Sequence, residues 1–199
     1  MKIVLATNNK HKIREIKNIL ADLSVEILTL EDFTGFPKVE ETGKTFEENA
    51  IIKAKAISRF TRLPSLADDS GLEVDALDGA PGILSSRFAG EHCSFEDNNR
   101  KLLHLMEDIP WERRGARFIC VVALAKDPNH ILTVKGEVKG FITLEERGEN
   151  GFGYDPIFYL PHLNKTFAQL SLEEKNRISH RAQAFVKAKE LIQKGFLYA

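Results

Sequence analysis

One stretch, residues 65–82, constrains this chain more than any other. It opens on an apolar run, Ser65-Leu66-Ala67, meets Asp68-Asp69-Ser70-Gly71, and continues to Gly79-Ala80-Pro81-Gly82. The run predicts a short strand that stops on two adjacent carboxylates and a hydroxyl, with Gly71 permitting a sharp turn. Open α/β folds bind their ligands at such strand ends. Neighbouring carboxylates repel each other unless a cation or a proton stands between them. A hard divalent ion such as Mg²⁺ suits oxygen ligands of this kind. A solvated acidic turn at the end of a strand would also account for these residues, so the stretch needs support from the rest of the chain.

Composition removes several function classes. Twenty-eight basic residues balance 29 acidic ones, for a formal charge of −1. That balance argues against a nucleic-acid coat or a polybasic membrane binder. With 199 residues, 43% of them hydrophobic, the chain can bury one substantial core or two small lobes. Cys93 and Cys120 are its only cysteines, without metal-finger spacing. A reduced, cytoplasmic protein is expected. No apolar run reaches membrane-spanning length, so no membrane partner is expected.

Along the chain, strands and helices alternate. Residues 2–6 read as a buried strand running into Thr7-Asn8-Asn9, residues that cap helices. Ile13, Ile16, Leu20 and Leu23 then recur at helical spacing. The first turn of that helix carries Lys10, His11 and Lys12, cations that oppose the helix dipole unless an anion sits there. A strand is expected over residues 25–30, then a loop reaching Lys38-Val39-Glu40-Glu41-Thr42-Gly43. Thr45 caps a long helix with a core stripe of Phe46, Ala50, Ala54 and Ile57, interrupted by Lys53. A lysine on such a stripe is paired, functional or snorkelling at the core edge.

Further on, a helix is predicted over residues 95–107, a central strand over 116–125 and a longer, bent strand over 131–142 containing Gly136 and Gly140. The loop Gly148-Glu149-Asn150-Gly151-Phe152-Gly153-Tyr154-Asp155-Pro156 holds an aromatic between glycines, placed to lie flat on a planar ring. Ser171 and Glu174 form a capping box ahead of Lys175. Ser179 precedes a last helix whose first turn is again basic, with His180 and Arg181. Cations at two helix starts, together with the acids Glu40, Glu41, Asp68 and Asp69, suit a metal-bound polyphosphate. Phe152 would stack on a base.

Read together, the motifs resemble one family. They are Leu5-Ala6-Thr7-Asn8-Asn9 with Lys12 and Glu15, Glu41-Thr42-Gly43, Thr45-Phe46-Glu47-Glu48-Asn49-Ala50 with Lys53-Ala54, Ala67-Asp68-Asp69-Ser70-Gly71-Leu72, Gly79-Ala80-Pro81-Gly82, Phe152-Gly153-Tyr154-Asp155-Pro156 and Ser179-His180-Arg181. Their order, from residue 3 to about residue 190, is similar to that of the inosine/xanthosine triphosphate pyrophosphatases. The resemblance implies one α/β domain over residues 1–199, bilobed, with an elongated mixed central sheet flanked by helices and an active-site cleft between the lobes. It also implies a homodimer and Mg²⁺-dependent hydrolysis of ITP, dITP and XTP to monophosphate and pyrophosphate. Deaminated purines would thereby leave the nucleotide pool.

Carried onto this chain, Asp69 would be proton acceptor and metal ligand with Asp68 beside it, and Glu40 or Glu41, the latter favoured, would complete the metal site. Thr7, Asn8, Asn9, Lys10, His11 and Lys12 would hold the triphosphate. Lys53, Ser70, Phe152, Gly153, Tyr154, Asp155, Lys175, His180 and Arg181 would contact the nucleotide. Donors from the His180-Arg181 turn would meet the 6-keto oxygen of the base, which adenine lacks. Two other readings stand beside this one: a pyrophosphatase for other modified nucleotides, and a nucleotide sensor without turnover.

Overall fold

A computed structural model describes residues 1–36 and 39–197. Lys38, where the expected acidic loop begins, lies outside the described residues. The chain divides into two compact units, Met1–Asp69 with Cys120–Gly136 and His180–Ala199, and Ser70–Ile119 with Glu137–Ser179. Among the described residues no helix is long and apolar enough to cross a membrane.

Seven strands form one mixed sheet in the order β2-β1-β3-β4-β5-β6-β7. They are β1 (Lys2–Leu5), β2 (Glu26–Leu28), β3 (Ser65–Val74), β4 (Gly115–Asp127), β5 (His130–Ile142), β6 (Phe158–Leu160) and β7 (Lys165–Thr166). β1 pairs in parallel with β2 and β3, whereas β5–β6 and β6–β7 are antiparallel. The α/β mixed sheet flanked by helices agrees with the sequence expectation.

In the first unit, three helices carry the site. α1 (Lys10–Ile19) and α5 (His180–Gln193) pack on each other. Ile16 of α1, Leu20 just beyond its end, and Phe185 and Ala188 of α5 share a core with Ile3 and Leu5 of β1, Leu66 of β3 and Cys120, Val122 and Leu124 of β4. Alternate residues of a strand face opposite sides of a sheet, so these are one face of β1, β3 and β4. α2 (Phe46–Thr61) lies on the other face, where the Ser65 hydroxyl donates to the Ala54 carbonyl at 2.8 Å. Burial pushes the Cys120 thiol up, consistent with the expected core role. Gly136 is explained by close approach: a Cβ there would stand 2.1 Å from the His180 carbonyl oxygen and 2.6 Å from the Ala184 nitrogen of α5.

The second unit has its own core, built from Leu72 and Val74 of β3, Phe118 of β4, Ile142 of β5, Phe158 and Phe167. α3 (Phe95–Leu105) contributes Leu102, and α4 (Leu172–Ile178) begins on the predicted Ser171–Glu174 capping box. Arg114 is the largest of the fully buried side chains and has no carboxylate partner among the described residues. Its guanidinium donates instead to four carbonyls, those of Ile142 and Thr143, both at 2.7 Å, and of Met106 and Ile109. It thereby ties the chain leaving α3 to the end of β5. An Arg114→Leu change strands those acceptors away from water, each at about 1–3 kcal/mol. We expect a loss of about 3 kcal/mol or more in urea unfolding; a loss below about 1 kcal/mol would mean that water satisfies the carbonyls instead.

Candidate active site

β3 does not stop at the acidic pair. It runs through Asp68-Asp69-Ser70-Gly71 to Val74 as a single ten-residue strand, which corrects the expectation of a short strand ending in a turn. The carboxylates can sit inside a strand because both are paired. Being adjacent, they face opposite sides of the sheet and meet different helices.

Asp68, 2% exposed, faces α1 and α5. Its Oδ2 accepts from Lys12 Nζ at 2.8 Å and lies 3.7 Å from Arg181 Nε. Arg181 also donates to Glu15 Oε2 at 2.5 Å. Glu15, Arg181, Asp68 and Lys12 are thus a buried run of alternating charge. Burial by itself would raise the Asp68 carboxyl, but Lys12, Arg181 and Lys53 outweigh it and hold it well below the usual carboxylate range. Arg181 is held above its ordinary value, because Glu15 and Asp68 overcome the effect of burial.

Asp69 faces α2. Its Oδ1 accepts from Lys53 Nζ at 2.9 Å and its Oδ2 from Asn49 Nδ2 at 3.4 Å. Lys53 also reaches Glu41 Oε1 at 3.2 Å, so the stripe-interrupting lysine is a paired one. For Asp69, burial prevails over Lys53 and pushes the carboxyl upward, with Glu41 adding to the rise. Lys53 itself is raised, as Asp69, Asp68 and Glu41 together outweigh its burial. Two adjacent aspartates therefore separate chemically: Asp68 is a fixed anion, and Asp69 is the more basic carboxylate.

The opening of α1 is as the sequence predicts, with Asn9 as its cap. The Asn9 side chain accepts from the amides of His11 and Lys12, and the Asn9 amide donates to Thr7 Oγ1 at 3.2 Å. Those amides are occupied by the cap, so an anion here would rely on side chains. Asn8, Lys10 and His11 are exposed, and Lys12 lies against Asp68.

A second cluster belongs to the second unit. Asp155, 2% exposed, accepts from the Phe152 amide at 2.9 Å and from Lys175 Nζ at 2.5 Å. Gly151, at φ +77°, is required here, since a Cβ would fall 2.0 Å from Asp155 Oδ2. The Phe152 ring packs 5.9 Å from that of Phe95 and has Lys175 Nζ 4.9 Å from its centroid. Gly153 is a second left-handed position of the loop, at φ +65°. Tyr154 is buried, and its hydroxyl donates to the Ser85 carbonyl at 2.9 Å, so its side chain anchors the loop. Ser179 ends α4, donating its amide to the Lys175 carbonyl. Ser70 follows Asp69 along β3 and is half-buried, while His180 lies buried in the first turn of α5.

Each unit therefore gathers its own part of the expected set. Asp68, Asp69, Lys12, Lys53, Glu41 and Arg181 meet in the first; Phe152, Asp155 and Lys175 meet in the second. Glu40 is exposed, whereas Glu41 touches Lys53. Among the described residues no three His, Cys, Asp or Glu side chains converge to hold an ion by themselves. Glu41 and Asp69, two carboxylates drawn to one lysine, fit an ion such as Mg²⁺ that takes one or two carboxylates and completes its shell with waters and phosphate oxygens. Sequence reading assigned no role to Glu15 or Asn49. Their signal was spacing: Glu15 stands three residues after Lys12, and Asn49 four before Lys53, on the same helical faces.

The chain is similar to known proteins over nearly its whole length. Residues 3–191 match the Ham1 family. The dITP/XTP pyrophosphatase of Desulforamulus reducens is 50% identical over 198 residues, 100% of this chain and 98% of that protein. That of Geobacter sulfurreducens is 51% identical, covering 95% of each. Among solved structures, a HAM1 protein from Coxiella burnetii superposes with a TM-score of 0.91 at 44% identity, covering 98% of this chain and 100% of that one. The Staphylococcus aureus Ham1 protein gives 0.87 at 45%, covering 98% and 99%. With a family match over residues 3–191 and relatives about half-identical over nearly its whole length, this chain belongs to the Ham1 family.

Proposed function

We propose that this protein hydrolyses non-standard purine nucleoside triphosphates, dITP, XTP and ITP, to the monophosphate and pyrophosphate. The observation that carries the reading is a chain half-identical to dITP/XTP pyrophosphatases, in which Asp68 and Asp69 of one strand pair with different cations. Asp69, its carboxyl pushed up by burial, is the general base. It takes a proton from water as the water oxygen bonds to the α-phosphorus. The bond from that phosphorus to the α–β bridging oxygen breaks, and pyrophosphate leaves with the electron pair. Asp68 stays ionised and fixes the ammonium of Lys12 at the start of α1.

Glu41 and Asp69 would hold Mg²⁺, which when bound supplies charge neutralisation to the phosphate oxygens. Lys53 lies between those two carboxylates and keeps them from repelling each other before substrate arrives. Thr7, Asn8, Asn9, Lys10 and His11 are proposed triphosphate contacts. Phe152, Gly153, Asp155 and Lys175 are proposed nucleotide contacts of the second unit, with Ser70. Donors from the His180-Arg181 turn are the proposed partners of a 6-keto oxygen. An amino group at that position would leave such a donor unpaired, and buried unpaired donors discriminate strongly. A homodimer in the cytoplasm, acting on free nucleotides rather than on nucleic acid, is the proposed setting; both cysteines are free thiols.

Product analysis with dITP, XTP, ITP, GTP, ATP and dTTP, each with Mg²⁺ and with chelator, tests the reading. We expect monophosphate and pyrophosphate, rapidly from the hypoxanthine and xanthine nucleotides alone, and only with metal. Diphosphate and phosphate would place the attack on the terminal phosphorus, and tight binding without product would make the protein a sensor. Asp69→Asn removes the base while keeping its shape. Its kcat for dITP should fall about 10²–10⁴-fold; turnover within threefold of wild type would take the proton-accepting role away from Asp69.

A further inference from the structure

Resting on the reading of Asp69 as the base, we propose that Asn49 is a positioning residue that locks Asp69 to the loop carrying Glu41. Asn49 sits in the first turns of α2, 2% exposed, with both ends of its amide engaged. Its Oδ1 accepts from the Gly43 amide at 2.8 Å, and its Nδ2 faces Asp69 Oδ2 at 3.4 Å. The orientation is forced by chemistry. A backbone amide can only donate and an ionised carboxylate can only accept, so each end of Asn49 has one possible partner.

The contacts close into a ring. From Asn49 it passes to Asp69, from Asp69 Oδ1 to Lys53 at 2.9 Å, and from Lys53 to Glu41 at 3.2 Å. Two residues along the chain, Gly43 returns to Asn49. Asp69 is thus held by both oxygens, one on an ammonium and one on an amide, which fixes the rotation of its carboxylate as well as its place. The return contact is close: a Cβ on Gly43 would stand 2.7 Å from Asn49 Oδ1 and 2.6 Å from Glu48 Cβ. Any larger residue at position 43 would push the loop, and Glu41 with it, away from α2. A side chain that only stabilised the start of α2 would need no contact with Asp69. Thr45 already serves that purpose by accepting from the Glu48 amide at 3.1 Å.

The test compares wild type, Asn49→Ala, Asn49→Asp and Asp69→Asn for dITP turnover, for Mn²⁺ binding by the nucleotide-free protein in electron paramagnetic resonance, and for thermal unfolding. Asn49→Ala opens the ring at both ends. It should lower kcat about 10–100-fold, leave KM within about threefold, and weaken Mn²⁺ binding by a similar factor, as loss of a ligand's supporting hydrogen bond does elsewhere. Asn49→Asp, nearly isosteric, keeps the acceptor for Gly43 and turns an oxygen towards Asp69; its kcat should fall at least as far although the loop anchor persists. If both variants fold, bind Mn²⁺ and turn over dITP within threefold of wild type, the inference is overturned. A rise in KM with unchanged kcat would also overturn it. Asp69→Asn keeps the two ideas apart: full turnover there defeats the reading of the base, whereas an inactive Asp69→Asn beside unaffected Asn49 variants defeats only the role of Asn49.

Discussion

Two carboxylates inside one β-strand are the constraint to which the first unit answers. A buried charge without a partner is far more costly than a native fold can absorb, and Asp68 and Asp69 bring two such charges next to each other. Their cations arrive from three helices: Lys12 from α1, Arg181 from α5, Lys53 from α2. Each helix therefore has a polar task besides its apolar one. α1 and α5 must close on one face of β3 and α2 on the other, in registers that bring those three side chains to the strand. A pair broken by removing one member leaves the other buried and uncompensated, at about 3–5 kcal/mol. Packing and electrostatics here specify the same arrangement.

The alternation of the strand converts this necessity into chemistry. Asp68 meets two cations and is held as an anion, while Asp69 meets one cation, a neutral amide and the influence of a further carboxylate. Identical side chains one residue apart acquire different basicity because the pleat sends them into different surroundings. A turn, as expected from Asp-Asp-Ser-Gly, would have exposed both to water and left them alike.

Much of this was legible in the sequence, and the misses have physical causes. Capping residues read well because they act locally: Asn9, Thr45 and Ser171 all accept the amides that their positions suggest. The apolar run of β4 also read well, as did the stripe of α2. The failure at β3 came from treating Ser70-Gly71 as turn residues, when long-range pairing of the aspartates lets the strand continue. The partner of Arg181 was hidden for the same reason: Glu15, 166 positions earlier in sequence, accepts from its guanidinium. Spacing within one helix shows which residues share a face; it cannot show which distant carboxylate that face meets. Arg114 lay beyond reach for a related reason, since its partners are backbone carbonyls, which every residue possesses.

The charges around β3 also admit a simple sum. Glu15, Asp68, Asp69 and Glu41 contribute four negative charges, and Arg181, Lys12 and Lys53 contribute three positive ones. On the α1–α5 face Glu15, Arg181, Asp68 and Lys12 alternate to neutrality, whereas on the α2 face Asp69, Lys53 and Glu41 begin and end on an acid and are short by one cation. Two neighbouring carboxylates of one strand thus sit in sets of different parity: one face of β3 is balanced, and the other keeps one negative charge in surplus.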